Sequence, residues 1–442
     1  MKYIEPIKSV TLLLLVIISL VLTFVIWTYT PDYKVMEDVE GEEVSIGSKK
    51  SVNDVVKPYK ALYRGEDKWT GTVSDKALND LLGTFEGWEY IDLVLENNDL
   101  SANELNELVR ADNHLTIFFS GEVPFSLFNV IFPFTHNDLP ETAFSQIIID
   151  WNNYNNKELQ LFFVSANNTI LYRSQVNIPN TNQFLEKVIE PSKKFSEYEE
   201  IKRDEIPSLY VTNDKIESVK YTYLIEDISP DLFRNALFID PNFVERSNVE
   251  GKNEEKYTDG MSEMIVDKDR KLLTYVYPAA ESSNRVPPSK ILNDSFEFIN
   301  EHGGLTADYR FVRMDTTKNR VDYQLFLQGF PVYSDQTDTR ITTIWGNERI
   351  FRYMRPYYSL DEDILSEKET KELPSGKEII EKVREMNHIA FSEVDEIAVG
   401  YYLTRYDNQI LFTLEQNWFL LHNGSWTRLT PEMLGGVENG LE

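Results

Sequence analysis

The 442-residue sequence predicts an α+β protein, with antiparallel sheets and flanking helices in several domains carried behind one N-terminal transmembrane helix. Three observations predict it. One long uncharged apolar run stands at the N-terminus. Behind it, short strand-like runs are paired as hairpins by tight turns. A proline-led helix followed by two strands then occurs twice in the C-terminal half.

The apolar run comes first. Between Lys8 and Asp32 lie 23 residues without a charge, SVTLLLLVIISLVLTFVIWTYTP, and fourteen of them are Leu, Ile, Val or Phe. As a helix the run spans roughly 34 Å, against about 30 Å of hydrocarbon core. Each of those apolar residues favours insertion by about 0.3 to 0.6 kcal/mol. The run is too long for the apolar core of a signal peptide, and Trp27-Thr28-Tyr29-Thr30 offers no small-residue cleavage site. The chain has no Cys, so lipoprotein processing is excluded. The expectation is a retained single-pass anchor over residues 9–29 behind a cytoplasmic tail, residues 1–8. Lys2, Lys8 and the amino terminus precede the helix, and only Lys34 lies close behind it, so the N-terminus is expected in the cytoplasm. Trp27 and Tyr29 fall where an outer aromatic belt belongs, and the large remainder is expected outside the cell membrane.

Composition bounds the partners. There are 73 acidic and 44 basic residues, a formal charge of −29, which repels nucleic acid and anionic membrane surfaces alike. The bilayer around the anchor is the expected lipid contact. With no Cys, an extracytoplasmic region of this size depends on its core alone, and 42% hydrophobic residues can supply one. Length predicts two or three domains outside the membrane.

The elements follow in order. Residues 30–50 hold Asp32, Glu37, Asp38, Glu40, Glu42 and Glu43 and read as a solvated acidic stalk; no calcium-loop pattern is present. Residues 51–205 form the first predicted domain. Its short helices start at Ser74 and Ser101, and Ser101-Ala-Asn-Glu104 has the spacing of a capping box. Strands are predicted over 116–119 and in the hairpin 158–165/169–176, with Asn167-Asn168 able to take the positive φ of its turn. Six Phe between Phe118 and Phe134, broken by Glu122, Pro124 and Pro133, read either as core or as an exposed partner-binding patch. The charged, proline-bounded segment 190–207 marks a boundary. A middle domain, residues 206–286, is predicted to hold a strand over 218–225, a helix behind Ser229-Pro230 and a hairpin 262–266/271–277. In the last domain, residues 287–442, helices run from Pro288 to His302 and from Pro374 to His388, an offset of 86 residues at both ends. Each is followed by two strand-like runs, 308–314 and 321–327, then 396–404 and 409–414.

The chemistry that envelope enzymes need is not written in the sequence. A thiol nucleophile is impossible without Cys, and there is no S-x-x-K, G-x-S-x-G, H-E-x-x-H, P-loop or G-x-G-x-x-G pattern. The histidines at 114, 136, 302, 388 and 422 lie more than five residues apart, so no metal site is expected, and no cofactor site either. His302 and His388 are expected to cap helix C-termini, where positive charge is favoured. Glu226-Asp227 and Asp361-Glu362-Asp363 read as solvated loops.

The membrane helix is the informative element. Ser19 and Thr23 stand four apart, with Leu12, Val16, Ile26 and Trp27 on roughly the same side. Such a stripe either lets a second helix approach closely, or faces lipid with its hydroxyls bonded back to its own backbone. At this point a resemblance enters. An N-terminal Met-Lys, a lysine just before the membrane, and Ser19-Leu-Val-Leu-Thr23-Phe-Val-Ile-Trp27-Thr-Tyr29-Thr-Pro31 resemble the start of the YycH (WalH) family of low-GC Gram-positive bacteria. Chain length, the lack of Cys, the acidic outer region and the proline-led helices are similar throughout. The resemblance implies a single-pass accessory regulator of the WalK/WalR (YycG/YycF) two-component system, which controls cell-wall metabolism. It implies action with the related protein YycI in a membrane complex with the sensor histidine kinase WalK, through contacts between transmembrane helices. It also implies three outer domains, the last similar to YycI, and no catalytic residue. Leu12, Val16, Ser19, Thr23, Ile26 and Trp27 are then the expected partner-binding face. The alternative is an anchored envelope enzyme or wall-binding module acting through its outer region alone.

Overall fold

Period-two strands are the commonest regular elements among the described residues, and most of them assemble into two large sheets. A computed structural model describes residues 12, 14–23, 47, 49–65, 68–131, 134, 139–165, 167, 169–363, 370–386, 389–405 and 411–434. The chain divides into two units, Met1–Gly41 and Glu42–Glu442. In the first, residues 12 and 14–23 are helical, and among the described residues no helix is long and apolar enough to cross a membrane. Ile26, Trp27, Asn168 and His388 lie outside the described residues.

In the second unit, nine antiparallel strands form one sheet in the order Glu89–Asn97, Leu171–Asn177, Glu158–Val164, Ala143–Asp150, His114–Pro124, Pro58–Arg64, Trp69–Thr72, Ser196–Ile201 and Leu209–Thr212. Its central strands are buried on both faces. Ile147, Ile148 and Ile149 are all inaccessible, because alternate residues point to opposite layers. Ile148 and Leu62 meet the helix Ala102–Arg110 through Leu105 and Val109. Ile147, Ile149 and Phe163 face the main core. There Phe125, Phe128, Phe144 and Phe163 pack with ring centroids 5.0 to 5.9 Å apart, so Phe119, Phe125, Phe128 and Phe134 of the aromatic stretch are core, while Phe118 is half-buried and Phe132 lies outside the described residues. Ser101 caps its helix by the box expected with Glu104. The charged segment 190–207 contains the strand Ser196–Ile201, whose half-exposed side chains explain its polar composition.

Fourteen strands form the second sheet. A meander of Glu245–Asn248, Glu254–Thr258, Glu263–Asp267 and Leu272–Val276 leads to Ile350–Pro356, with Tyr275 opposite Tyr353. Arg340–Trp345, Arg320–Leu327 and Tyr309–Asp315 continue it. The hairpin Val394–Arg405/Leu411–His422 joins through Phe330–Tyr333, whose pairing with Val394–Arg405 is parallel. The helix Pro288–Glu301 packs on this sheet, where Ser295 Oγ meets Thr343 Oγ1 at 2.6 Å and accepts from the Tyr323 hydroxyl at 3.1 Å. The later helix, Gly376–Arg384, is shorter than predicted: Ser375 and Glu378 cap it, leaving Pro374 outside. Each helix is followed by an antiparallel strand pair. Glu226-Asp227 and Asp361–Asp363 lie on the paired strands Tyr221–Asp227 and Tyr358–Asp363 rather than in loops. Tyr358–Asp363 stands at one end of the sheet's strand order.

Arg355 is 0% exposed, and its hydrogen bonds go to the Gly304 and Pro356 carbonyls and the hydroxyls of Tyr353 and Thr306, with the Phe233 ring 4.7 Å away. It fastens the Gly303–Leu305 turn that ends the helix Pro288–Glu301. That turn in turn holds the start of the unit: Gly47 N–H donates to Gly303 O at 2.8 Å, and the Asn300 amide brackets the Lys50 backbone at 3.2 and 3.1 Å. Gly304 has φ +66°, and a Cβ there would lie 3.1 Å from Gly47, so this closure needs glycine.

Candidate functional site

Two places can carry function. The first is the N-terminal stripe. Leu12, Val16, Ser19 and Thr23 are exposed, and the apolar residues described in this helix are 45 to 66% exposed. The Thr23 hydroxyl donates to Ser19 O at 2.8 Å, the back-bonded arrangement that satisfies a hydroxyl within its own helix. Ile26 and Trp27, the rest of the expected face, are not among the described residues.

The second place is a cleft of about 1490 Å³ in the unit Glu42–Glu442, lined by residues of both large sheets. One wall is held by a buried ion pair. Lys60 Nζ on Pro58–Arg64 lies 2.8 Å from Glu396 Oε2 on Val394–Arg405, and the Tyr59 hydroxyl donates to the same oxygen at 2.8 Å. Burial, and secondarily the Glu396 carboxylate, raises the Tyr59 hydroxyl well above the ordinary tyrosine value, so it stays protonated and donates.

The other wall is a sheet face. In Tyr309–Asp315, Arg320–Leu327 and Arg340–Trp345 one face carries Tyr323, Ile341 and Thr343 onto the helix Pro288–Glu301. The opposite face carries Arg313, Asp322 and Thr342 in one row, and Gln324 and Arg340 in the next. Asp322 is 1% exposed and takes Arg320 Nε at 2.9 and 3.0 Å and the Thr342 hydroxyl at 2.6 Å. Asp338 lies near Arg270, Arg340 and Arg320, which lower it, but burial outweighs them and raises it. Tyr333 and Trp426, with centroids 6.0 Å apart, form an aromatic rim.

Sequence reasoning missed this cleft. Its residues come from strands more than three hundred positions apart, as Lys60 and Glu396 do. The available signal was the alternation Arg320-Val-Asp322-Tyr-Gln324: polar residues recur every second position in a strand whose other side is apolar. His302 caps its helix as expected, Nδ1 lying 2.9 Å from Phe298 O, but burial lowers its pKa, so it does so as a neutral ring. Among the described residues no group of three or more His, Asp or Glu could hold a metal ion.

Comparison with known proteins completes the picture. The N-terminal domain model of the YycH protein matches residues 5–204, and its C-terminal domain model matches residues 207–434. A relative from Bacillus subtilis (strain 168), "Two-component system WalR/WalK regulatory protein YycH", is 22% identical over 458 residues, 99% of each chain. The crystal structure of YycH from Bacillus subtilis superimposes with a TM-score of 0.75 at 18% identity, over 88% of this chain and 99% of that one. That likeness establishes the mixed α+β fold with its extensive antiparallel sheets.

Proposed function

The chain belongs to the YycH family, and from that premise we propose that it is a membrane-anchored accessory regulator of a WalR/WalK two-component system and not an enzyme. One observation carries the reading: the Bacillus subtilis regulatory protein aligns with this chain over 99% of both. The finer parts are proposals too. Residues 9–29 anchor the chain in the cell membrane with the N-terminus inside, supported by their 23-residue uncharged surroundings. The outer region divides into 51–205, 206–286 and a YycI-like 287–442; the matched family models change over between 204 and 207, which supports the first division.

In this reading the anchor helix binds the helices of WalK and YycI through Leu12, Val16, Ser19, Thr23, Ile26 and Trp27. A helix that is apolar all round buries itself in lipid, and small hydroxyl residues are the places where a second helix comes close. Thr23 still has a lone pair for an incoming donor after bonding to Ser19 O. Contacts of about 1 to 3 kcal/mol shift a two-state kinase by one or two decades. The test is Ser19→Leu with Thr23→Leu in the full chain. Insertion is expected to be unchanged and co-purification with the kinase to fall. Undiminished co-purification would remove this face from the account.

A further inference from the structure

We propose that the cleft is a binding site for a small polyanion, a ligand bearing several carboxylate or phosphate groups, and that Arg313 and Arg340 are the residues that read it. This goes beyond the regulator reading and does not depend on it.

Three observations carry it. The first is size. About 1490 Å³ exceeds the roughly 300 to 1,000 Å³ of ordinary small-molecule sites, so an oligomeric or heavily hydrated ligand has room. The second is charge. The molecule carries a formal −29, yet the sheet wall presents Arg270, Arg313, Arg320 and Arg340. Its carboxylates are already engaged: Asp322 by Arg320 and Thr342, Asp338 by Arg270 at 3.3 Å, and Asp335 by the Tyr402 hydroxyl at 3.1 Å. Arg313 and Arg340 remain exposed, and among the described residues neither donates a side-chain hydrogen bond to a carboxylate. Two guanidinium forks so placed match carboxylate or phosphate oxygens two at a time.

The third observation is that the wall behind them is rigid. Asp322 and Gln324 are almost fully buried between these arginines, and Gln324 Nε2 donates to Thr339 O at 3.0 Å and Thr339 Oγ1 at 2.9 Å, and also to Val332 O. A sheet face that is polar, buried and internally satisfied holds its arginines in place without consuming them. At the rim, Arg313 Nη1 lies 3.8 Å from where a Cβ on Gly424 would be, on the turn that leads to Trp426. A ligand held by Arg313 therefore also meets the Trp426 and Tyr333 rings.

The experiment uses the full chain in nanodiscs of phosphatidylcholine, which adds no net negative lipid. Citrate and tripolyphosphate are titrated separately by calorimetry, so that preference for carboxylate or phosphate is read directly. Saturable binding of at least one is expected, weakening as salt rises. Arg313→Gln with Arg340→Gln is expected to weaken it about tenfold or more, since each fork supplies charge-assisted bonds. Lys290→Gln, on a remote helix face outside the cleft, is expected to leave it unchanged. Both arginines are exposed, so folding should survive; Arg313→Lys, which keeps charge without the fork, is expected to bind at an intermediate level. No saturable binding of either probe overturns the proposal. So does a double variant that binds as well as the parent chain, or a Lys290→Gln loss equal to the double variant's.

Discussion

Single residues set much of the stability of this molecule. Arg355 is buried, and among the described residues no carboxylate pairs with it, so its charge is spread over carbonyls, hydroxyls and a ring. Arg355→Ala removes those bonds and opens a void, and is expected to destabilise by about 3 to 5 kcal/mol in denaturant unfolding. Lys60 and Glu396 behave differently because each neutralises the other. Glu396→Gln strands a buried ammonium at about 3 kcal/mol, whereas Lys60→Met with Glu396→Leu together should do less harm than either alone. A double variant as damaged as the sum of the singles would show that the two side chains contribute independently, with no coupling across the pair. Two groups set separate acid windows. Burial lowers the His302 pKa in the folded state, so the unfolded chain takes its proton first and stability is lost as pH falls below about 6.5. Glu255, held by Lys268 at 2.6 Å, Arg246 at 2.7 Å and the Tyr257 hydroxyl at 3.1 Å, is pulled down to about 2. Its contribution is complete above the ordinary glutamate pKa and is lost as pH falls from there towards 2. Thermal midpoints measured against pH should flatten in the upper window for His302→Asn and in the lower window for Glu255→Gln, each leaving the other window unchanged.

At the scale of elements, what was legible in the sequence was whatever is decided locally. Ser101 and Glu104 specify a helix start by themselves, as do Ser375 and Glu378, and both boxes form. Alternation marks the hairpins, and the sequence reading starts the second helix too early, at Pro374, because Ser375 is its cap. Pairing between distant strands could not be read: nothing local announces that Pro58–Arg64 meets His114–Pro124, or that Phe330–Tyr333 runs parallel to Val394–Arg405. The closure at the start of the second unit is also invisible in sequence, since Asn300 looks like any helical surface amide until it brackets Lys50. Asn300→Ala removes both bonds and is expected to destabilise by about 1 kcal/mol while speeding hydrogen exchange selectively around Ser51–Val56. Uniform exchange changes across the unit would place Asn300 in the general core instead.

The chain combines a helix whose described apolar side chains are exposed with a large unit whose two large sheets both line a cleft holding arginines. The chain belongs to the YycH family, and its Bacillus subtilis relative is a two-component system WalR/WalK regulatory protein. We propose that regulation passes through the helix of residues 9–29. The direct test exchanges residues 9–29 for an unrelated membrane helix of equal length and follows a reporter of WalR-dependent transcription in cells. The account expects reporter output to match that of a strain lacking the protein, with the exchanged chain still present in the membrane. Output equal to that of the unaltered chain would contradict it, and would assign the signal to the outer unit alone.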